Sequence, residues 1–205
     1  HEGKRKYLIH NKNSFHGKLI ATSQITDSPE VYFKFQNSLD SLCIDLNDVD
    51  LLEKTILENS ENIYAIILEP FSASMAKPIR QKKLKSIQTI CNREDIILIF
   101  DEVYSGFYRT SDLFFFMSQN DVKPDIVTFS KSFGGGLASI SGYTSLDKIF
   151  SKAYGSQKDA LLHSSTYSNY VEESKIALKT LDILSDEEFI NNTSTKREYF
   201  VKKVK

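Results

Sequence analysis

Cysteine is scarce in this chain. The 205 residues contain two, Cys43 and Cys91, too far apart for CxxC spacing. A disulfide framework is therefore not expected, a reducing compartment is the default, and a cytoplasmic location follows. An excess of one charge is also missing. Lys and Arg total 26 against 27 Asp and Glu, a net charge of −1. Nothing in that balance attracts nucleic acid or an anionic membrane, and neither is expected as a partner. No long hydrophobic run is present. The longest, Ile96 to Phe100, ends in two acids and falls far short of the ~20 residues that span a bilayer. No apolar signal-peptide region follows His1-Glu2-Gly3-Lys4-Arg5. Repeats, low-complexity tracts, metal-ligand spacings and a convincing linker are absent too. Hydrophobic residues at 40% and charged residues at 26% suit one substantial core.

Short apolar runs alternate with helical patterns. Tyr7-Leu8-Ile9, Val31-Tyr32-Phe33, Tyr64 to Leu68, Ile96 to Phe100 and Ile126 to Phe129 read as strands. Asp48 to Glu58, Ile79 to Asn92 and Glu173 to Leu184 have helical spacing, and Leu84, Ile87, Ile90 and Cys91 form an apolar stripe. The polar stretch Ser151 to Asp159 reads as a surface loop. Unbroken apolar strands between helices predict an α/β fold, a mostly parallel sheet flanked by helices on both faces.

Ligands of open α/β sheets sit at the carboxyl ends of strands. Three polar groups fall there: Glu69 after Leu68, Asp101 after Phe100, and Lys131 after Phe129-Ser130. Lys131 precedes Gly134-Gly135-Gly136, where a backbone can turn sharply and approach a ligand. Taken singly, each has a plainer reading. A lysine before glycines is ordinarily a solvated turn residue, and an aspartate at a strand end is ordinarily a helix cap. A P-loop ATPase would need G-x-x-x-x-G-K-[ST]; none is present, and here the glycines follow the lysine.

The longer string is more specific. Leu98-Ile99-Phe100-Asp101-Glu102-Val103-Tyr104-Ser105-Gly106-Phe107-Tyr108-Arg109-Thr110 is followed by Asp125-Ile126-Val127-Thr128-Phe129-Ser130-Lys131 and the glycines, with 30 positions from Asp101 to Lys131. This resembles the signature of class III pyridoxal-phosphate-dependent aminotransferases, of fold type I. Asn13-Ser14-Phe15-His16-Gly17-Lys18, Ala65 to Pro70 and His163 to Asn169 are similar to further segments of that family, in its order. The resemblance covers nearly the whole chain.

It implies the cofactor pyridoxal 5'-phosphate, held as a Schiff base on Lys131, with Asp101 paired to the pyridinium N–H. Val103 and Phe15 would pack on the two ring faces. Thr166 would reach the phosphate of a neighbouring subunit's cofactor, which implies a homodimer. His16 would support the cofactor site or only shape a turn. Glu69 would line the substrate pocket, and Arg109 is a family-positioned polar residue. The implied reaction is transamination between an amine or amino-acid donor and an oxo-acid acceptor. Aminomutases, epimerases and decarboxylases share the lysine and aspartate, and a non-catalytic truncated homologue would share the fold.

The chain departs from the family pattern in three places. Tyr104 stands where ornithine-type members carry a glutamine that supports the cofactor's ring oxygen, which lowers the weight on those substrates. Ser111 stands where glycine is usual. Tyr170-Val171 follows Asn169 where Asn-Pro is common. The first residue is not Met and the helical pattern of Lys196 to Lys205 has no cap, so an internal piece of a longer protein is expected. Residues 1–185 would be the large cofactor domain and 186–205 the helical start of a connection to a small domain. The family's upstream phosphate loop and small-domain arginine would lie outside the chain.

Overall fold

The computed structural model describes residues 3–31, 39–110, 112–119, 121–168 and 170–204. The strands are β1 (Tyr7–Asn11), β2 (Ser41–Ile44), β3 (Ile63–Leu68), β4 (Phe71–Ser72), β5 (Lys77–Pro78), β6 (Ile97–Asp101), β7 (Ile126–Phe129) and β8 (Gly142–Ser145). The α-helices are α1 (Val49–Asn59), α2 (Gln81–Arg93), α3 (Asp147–Tyr154), α4 (Val171–Leu184) and α5 (Glu187–Val204).

Among the described residues, six strands form one sheet in the order β2-β1-β3-β6-β7-β8; β4 and β5 make a separate hairpin. Every pairing in the large sheet is parallel except β7 with β8. Parallel neighbours require crossovers, and α1 and α2 supply two of them. Asp48 caps α1 by accepting a hydrogen bond from Leu51 N at 3.0 Å. The expected stripe of Leu84, Ile87, Ile90 and Cys91 is the buried face of α2.

Side chains alternate across the sheet, so each strand feeds two cores. Ile9, Ile66, Leu68, Leu98 and Phe100 face one way and pack with Leu52 and Ile56 of α1 and Leu84 and Ile87 of α2. Leu8, Ala65 and Ile67 face the other way, with Ile25 of the 3-10 turn Thr22–Ile25 against them. Fully burying an aliphatic side chain is worth roughly 1.5–3 kcal/mol, so these rows dominate the cohesion of the sheet. A third cluster joins Phe107, Phe114 and Val127 to Leu184 of α4.

Four details differ from the sequence expectation. Val31 belongs to a 3-10 turn, and Tyr32 and Phe33 lie outside the described residues. Ser111 and Asn169 lie outside them as well. Residues Ser151 to Tyr154 are the last turn of α3 rather than a loop. β2 and β8 are strands that no apolar run announced; among the described residues each lies at an edge of the sheet and pairs with one neighbour.

Candidate active site

The register of the sheet assembles the site. Leu68 pairs with Phe100, and Glu69 and Asp101 each come one residue later. Asp101 pairs in turn with Thr128, three residues before Lys131. By alternation Asp101 shares the face of Ile97 and Ile99, away from α1 and α2. Three neighbouring strands thus end in a carboxylate, a carboxylate and an amine.

Asp101 is nearly buried and held on both oxygens. Its Oδ1 accepts from Val103 N at 3.0 Å. Its Oδ2 accepts from His16 Nδ1–H at 2.8 Å. An ionised carboxylate has about four acceptor positions, so each oxygen keeps one for a further donor. His16 is itself fixed by its backbone N–H, which donates to Thr26 Oγ1 at 2.9 Å. The hydroxyl of Thr26 points back to the carbonyls of Gly17 and Thr22. His16 Nε2 is buried and has no hydrogen-bond partner among the described residues.

Glu69 is buried too. It accepts from Phe15 N at 3.0 Å and from Ala73 N at 3.1 Å. Burial pushes its carboxyl above the usual range, while those two N–H groups pull it back. Glu69 thereby pins the backbone of Phe15, a residue that stays 37% exposed.

Lys131 opens a 3-10 turn, Lys131–Gly134, directly after β7 and Ser130. Its backbone is left-handed, φ +46°, a conformation that L-residues rarely adopt. Such strain is concentrated at functional positions. Gly135 follows at φ +59°, and a Cβ there would meet Thr180 Oγ1 of α4 at 2.5 Å. Glycine is therefore required for α4 to pack on the lysine turn. The Lys131 amine is exposed and sits 5.3 Å from the centre of the Tyr104 ring.

Sequence reasoning passed over Glu102. It is fully buried and accepts from Ser105 Oγ at 2.6 Å and from Phe115 N and Phe116 N, each at 2.9 Å. Burial raises its carboxyl pKa against those three donors. It ties the Asp101 strand to the 3-10 turn Phe115–Ser118. Gly106 lies under the same turn, where a Cβ would come within 2.9 Å of Glu102 O and 3.1 Å of the Phe114 ring. The adjacent acid pair Asp101-Glu102 was the available signal. Alternation sends the second acid to the face opposite the first.

His10 was also missed. It lies in β1, is 1% exposed, and places Nδ1 3.4 Å from Ser14 Oγ. Burial and the nearby His16 lower its pKa to about 4. Two expected residues are not drawn into this network. Thr166 is exposed in the segment between α3 and α4, without a hydrogen bond among the described residues. Arg109 is exposed and likewise has no hydrogen-bond or ion-pair partner there.

The profile of the aminotransferase class-III family matches residues 1–205. The chain belongs to that family. Class-III aminotransferases are pyridoxal-phosphate-dependent enzymes. Among curated class-III relatives, the succinylornithine transaminase/acetylornithine aminotransferase of Pseudomonas aeruginosa is 29% identical over 201 residues, 97% of this chain and 47% of that protein. The acetylornithine aminotransferase of Methanocaldococcus jannaschii is 30% identical over 207 residues, covering 96% and 48%. The chain spans about half the length of the curated relatives it matches. A solved transaminase with L-ala superposes with a TM-score of 0.86 at 27% identity, covering 99% of this chain and 53% of that one. The (S)-enantioselective omega-transaminase of Thermomicrobium roseum gives 0.82 at 27% identity, covering 92% and 46%.

The residues present suit the class-III cofactor. Asp101 keeps acceptor capacity for a ring N–H, Phe15 offers an exposed aromatic face, and Lys131 offers a free amine at the end of the neighbouring strand.

Proposed function

We propose that this chain holds pyridoxal phosphate on Lys131 and serves transamination between an amine or amino-acid donor and an oxo-acid acceptor. One observation carries the reading: a doubly anchored carboxylate, Asp101, ends β6 beside the strand that delivers the Lys131 amine. When bound, the cofactor supplies an electron sink for charge developing at the substrate's Cα.

The chain's own residues have separable tasks. Asp101 accepts the ring N–H through a charge-assisted bond and keeps that nitrogen protonated. His16 and Val103 N fix the carboxylate's orientation, so little reorganisation is needed when it engages. Phe15, whose backbone Glu69 holds, would pack on one face of the cofactor ring and Val103 on the other. Once a substrate amine had displaced it from the cofactor, the Lys131 amine would carry the proton from the substrate's Cα to the cofactor's C4′, as a positioned general acid–base group. Glu69 borders the substrate pocket.

Thr166 serves a partner subunit in this reading, and the protein is a homodimer. Leu161, Leu162, Tyr167 and Tyr170 are exposed on either side of Thr166, as a subunit interface requires. Residues 1–185 form the cofactor domain, and 186–205 begin a connection; α5 has no buried residue. The free thiols Cys43 and Cys91 suit the cytoplasm.

The test is chemical. The protein is loaded with pyridoxal phosphate, reduced with borohydride and mapped by peptide mass. The label is expected on Lys131, and a donor panel is expected to discharge the loaded form. A label on any other lysine would overturn the assignment.

A further inference from the structure

We propose that Tyr104 and Phe71 form an aromatic shelf beside Lys131 that selects donors with an apolar or aromatic substituent on the amine-bearing carbon; this rests on the transaminase reading above. Tyr104 follows the Asp101 strand, and Phe71 opens the hairpin after the Glu69 strand, so two separate chain segments build the shelf. Their rings lie 6.2 Å apart at 26°, a stacked arrangement. Phe115 supports Phe71 edge-on at 5.8 Å. Phe115 is buried and held by Glu102 through its N–H, so the shelf is anchored in the core.

The shelf lies where a substrate must come. The Lys131 amine is 5.3 Å from the Tyr104 ring centre. A substrate carbon that gives its proton to Lys131 must lie within proton-transfer reach of that nitrogen. The Tyr104 ring, on a residue 39% exposed, is then within reach of that carbon's substituents.

Three classes of substituent can be compared. An aromatic or branched apolar group loses little on leaving water and gains ring contacts. A second carboxylate would have to desolvate against ring faces, near the buried acid Glu69. A second ammonium would likewise have to shed its hydration against ring faces, at a far larger cost than an apolar group. The shelf therefore favours the first class.

The experiment compares kcat/KM for 1-phenylethylamine, glutamate and ornithine in the wild type, Tyr104→Phe, Tyr104→Gln and Phe71→Ala. The aryl donor should lead in the wild type and in Tyr104→Phe. Its advantage over the charged donors should shrink about 3- to 10-fold in Tyr104→Gln, the range that one aromatic contact spans. Benzyl alcohol has no amine, and its affinity for the loaded protein should fall in the same order, independently of turnover. Borohydride labelling of each variant separates the two readings. Label on Lys131 with an unchanged donor ratio in Tyr104→Gln overturns the shelf and leaves the transaminase reading standing. Label elsewhere overturns both.

Discussion

Acid should weaken this fold through one buried imidazole. His10 is 1% exposed and its pKa lies near 4. Burial is the main cause, followed by the neighbouring His16; Asp27 opposes them. The unfolded chain protonates the same residue near 6.5. Because the folded pKa is depressed, the stability contribution is complete above pH 6.5. It is lost as pH falls toward 4, where the unfolded state binds a proton that the folded state refuses. The difference between 6.5 and about 4 corresponds to about 3 kcal/mol across that window. Glu69 and Glu102 have raised pKa values and work the other way, gaining stability as they protonate. The His10 contribution must therefore be isolated by difference. His10→Leu keeps a similar volume and cannot titrate. Ser14 keeps its hydrogen bond to Ile25 O in that variant. Urea unfolding followed by far-UV circular dichroism, at pH 7, 5.5 and 4, gives both stability curves. The wild type should lose about 3 kcal/mol more than His10→Leu between pH 7 and 4. Parallel curves would refute the claim that this imidazole is buried uncharged.

Three other perturbations address the site. Lys131→Ala should abolish turnover and borohydride labelling while changing stability by no more than about 0.5 kcal/mol, since the side chain is exposed; unfolding curves with label mapping check both. Asp101→Asn should cost about 1.5–3 kcal/mol in cofactor affinity and more than that in kcat, because the amide cannot hold the ring nitrogen protonated; equal losses in a cofactor titration and in turnover would contradict the assigned role. Glu102→Ala should destabilise the protein by about 2–4 kcal/mol, since it leaves the N–H groups of Phe115 and Phe116 without their acceptor; a melting temperature equal to wild type would count against that account.

Legibility in the sequence followed burial. The central strands were readable because both their faces are buried, leaving unbroken runs such as Tyr64 to Leu68. β8, Gly-Tyr-Thr-Ser, has no such run. It is a strand because β7 offers it four paired positions. The last turn of α3 looked like a loop because no residue of α3 is buried, so its composition is as polar as a loop's. In the site, Asp101 and Lys131 stood out through their spacing. His16 could be read as a turn residue, and only the fold brings it 2.8 Å from Asp101, 85 positions along the chain. Glu102 and His10 were hidden for a different reason. Their importance lies in burial and in what they touch, and sequence spacing encodes neither.

The order of the sheet also governs how the site comes into being. β1 pairs with β3 across some fifty residues, and each inner pairing is closed by a crossover. Parallel pairings of such range are entropically expensive to nucleate and slow to form. Phe15, Glu69, Asp101 and Lys131 come from the ends of four different strands of that sheet. No partial chain ending before β7 could hold them together. On the proposed reading, competence to capture cofactor is therefore acquired late and all at once, and the growth of a bound-cofactor signal during refolding would time the final closure of the sheet.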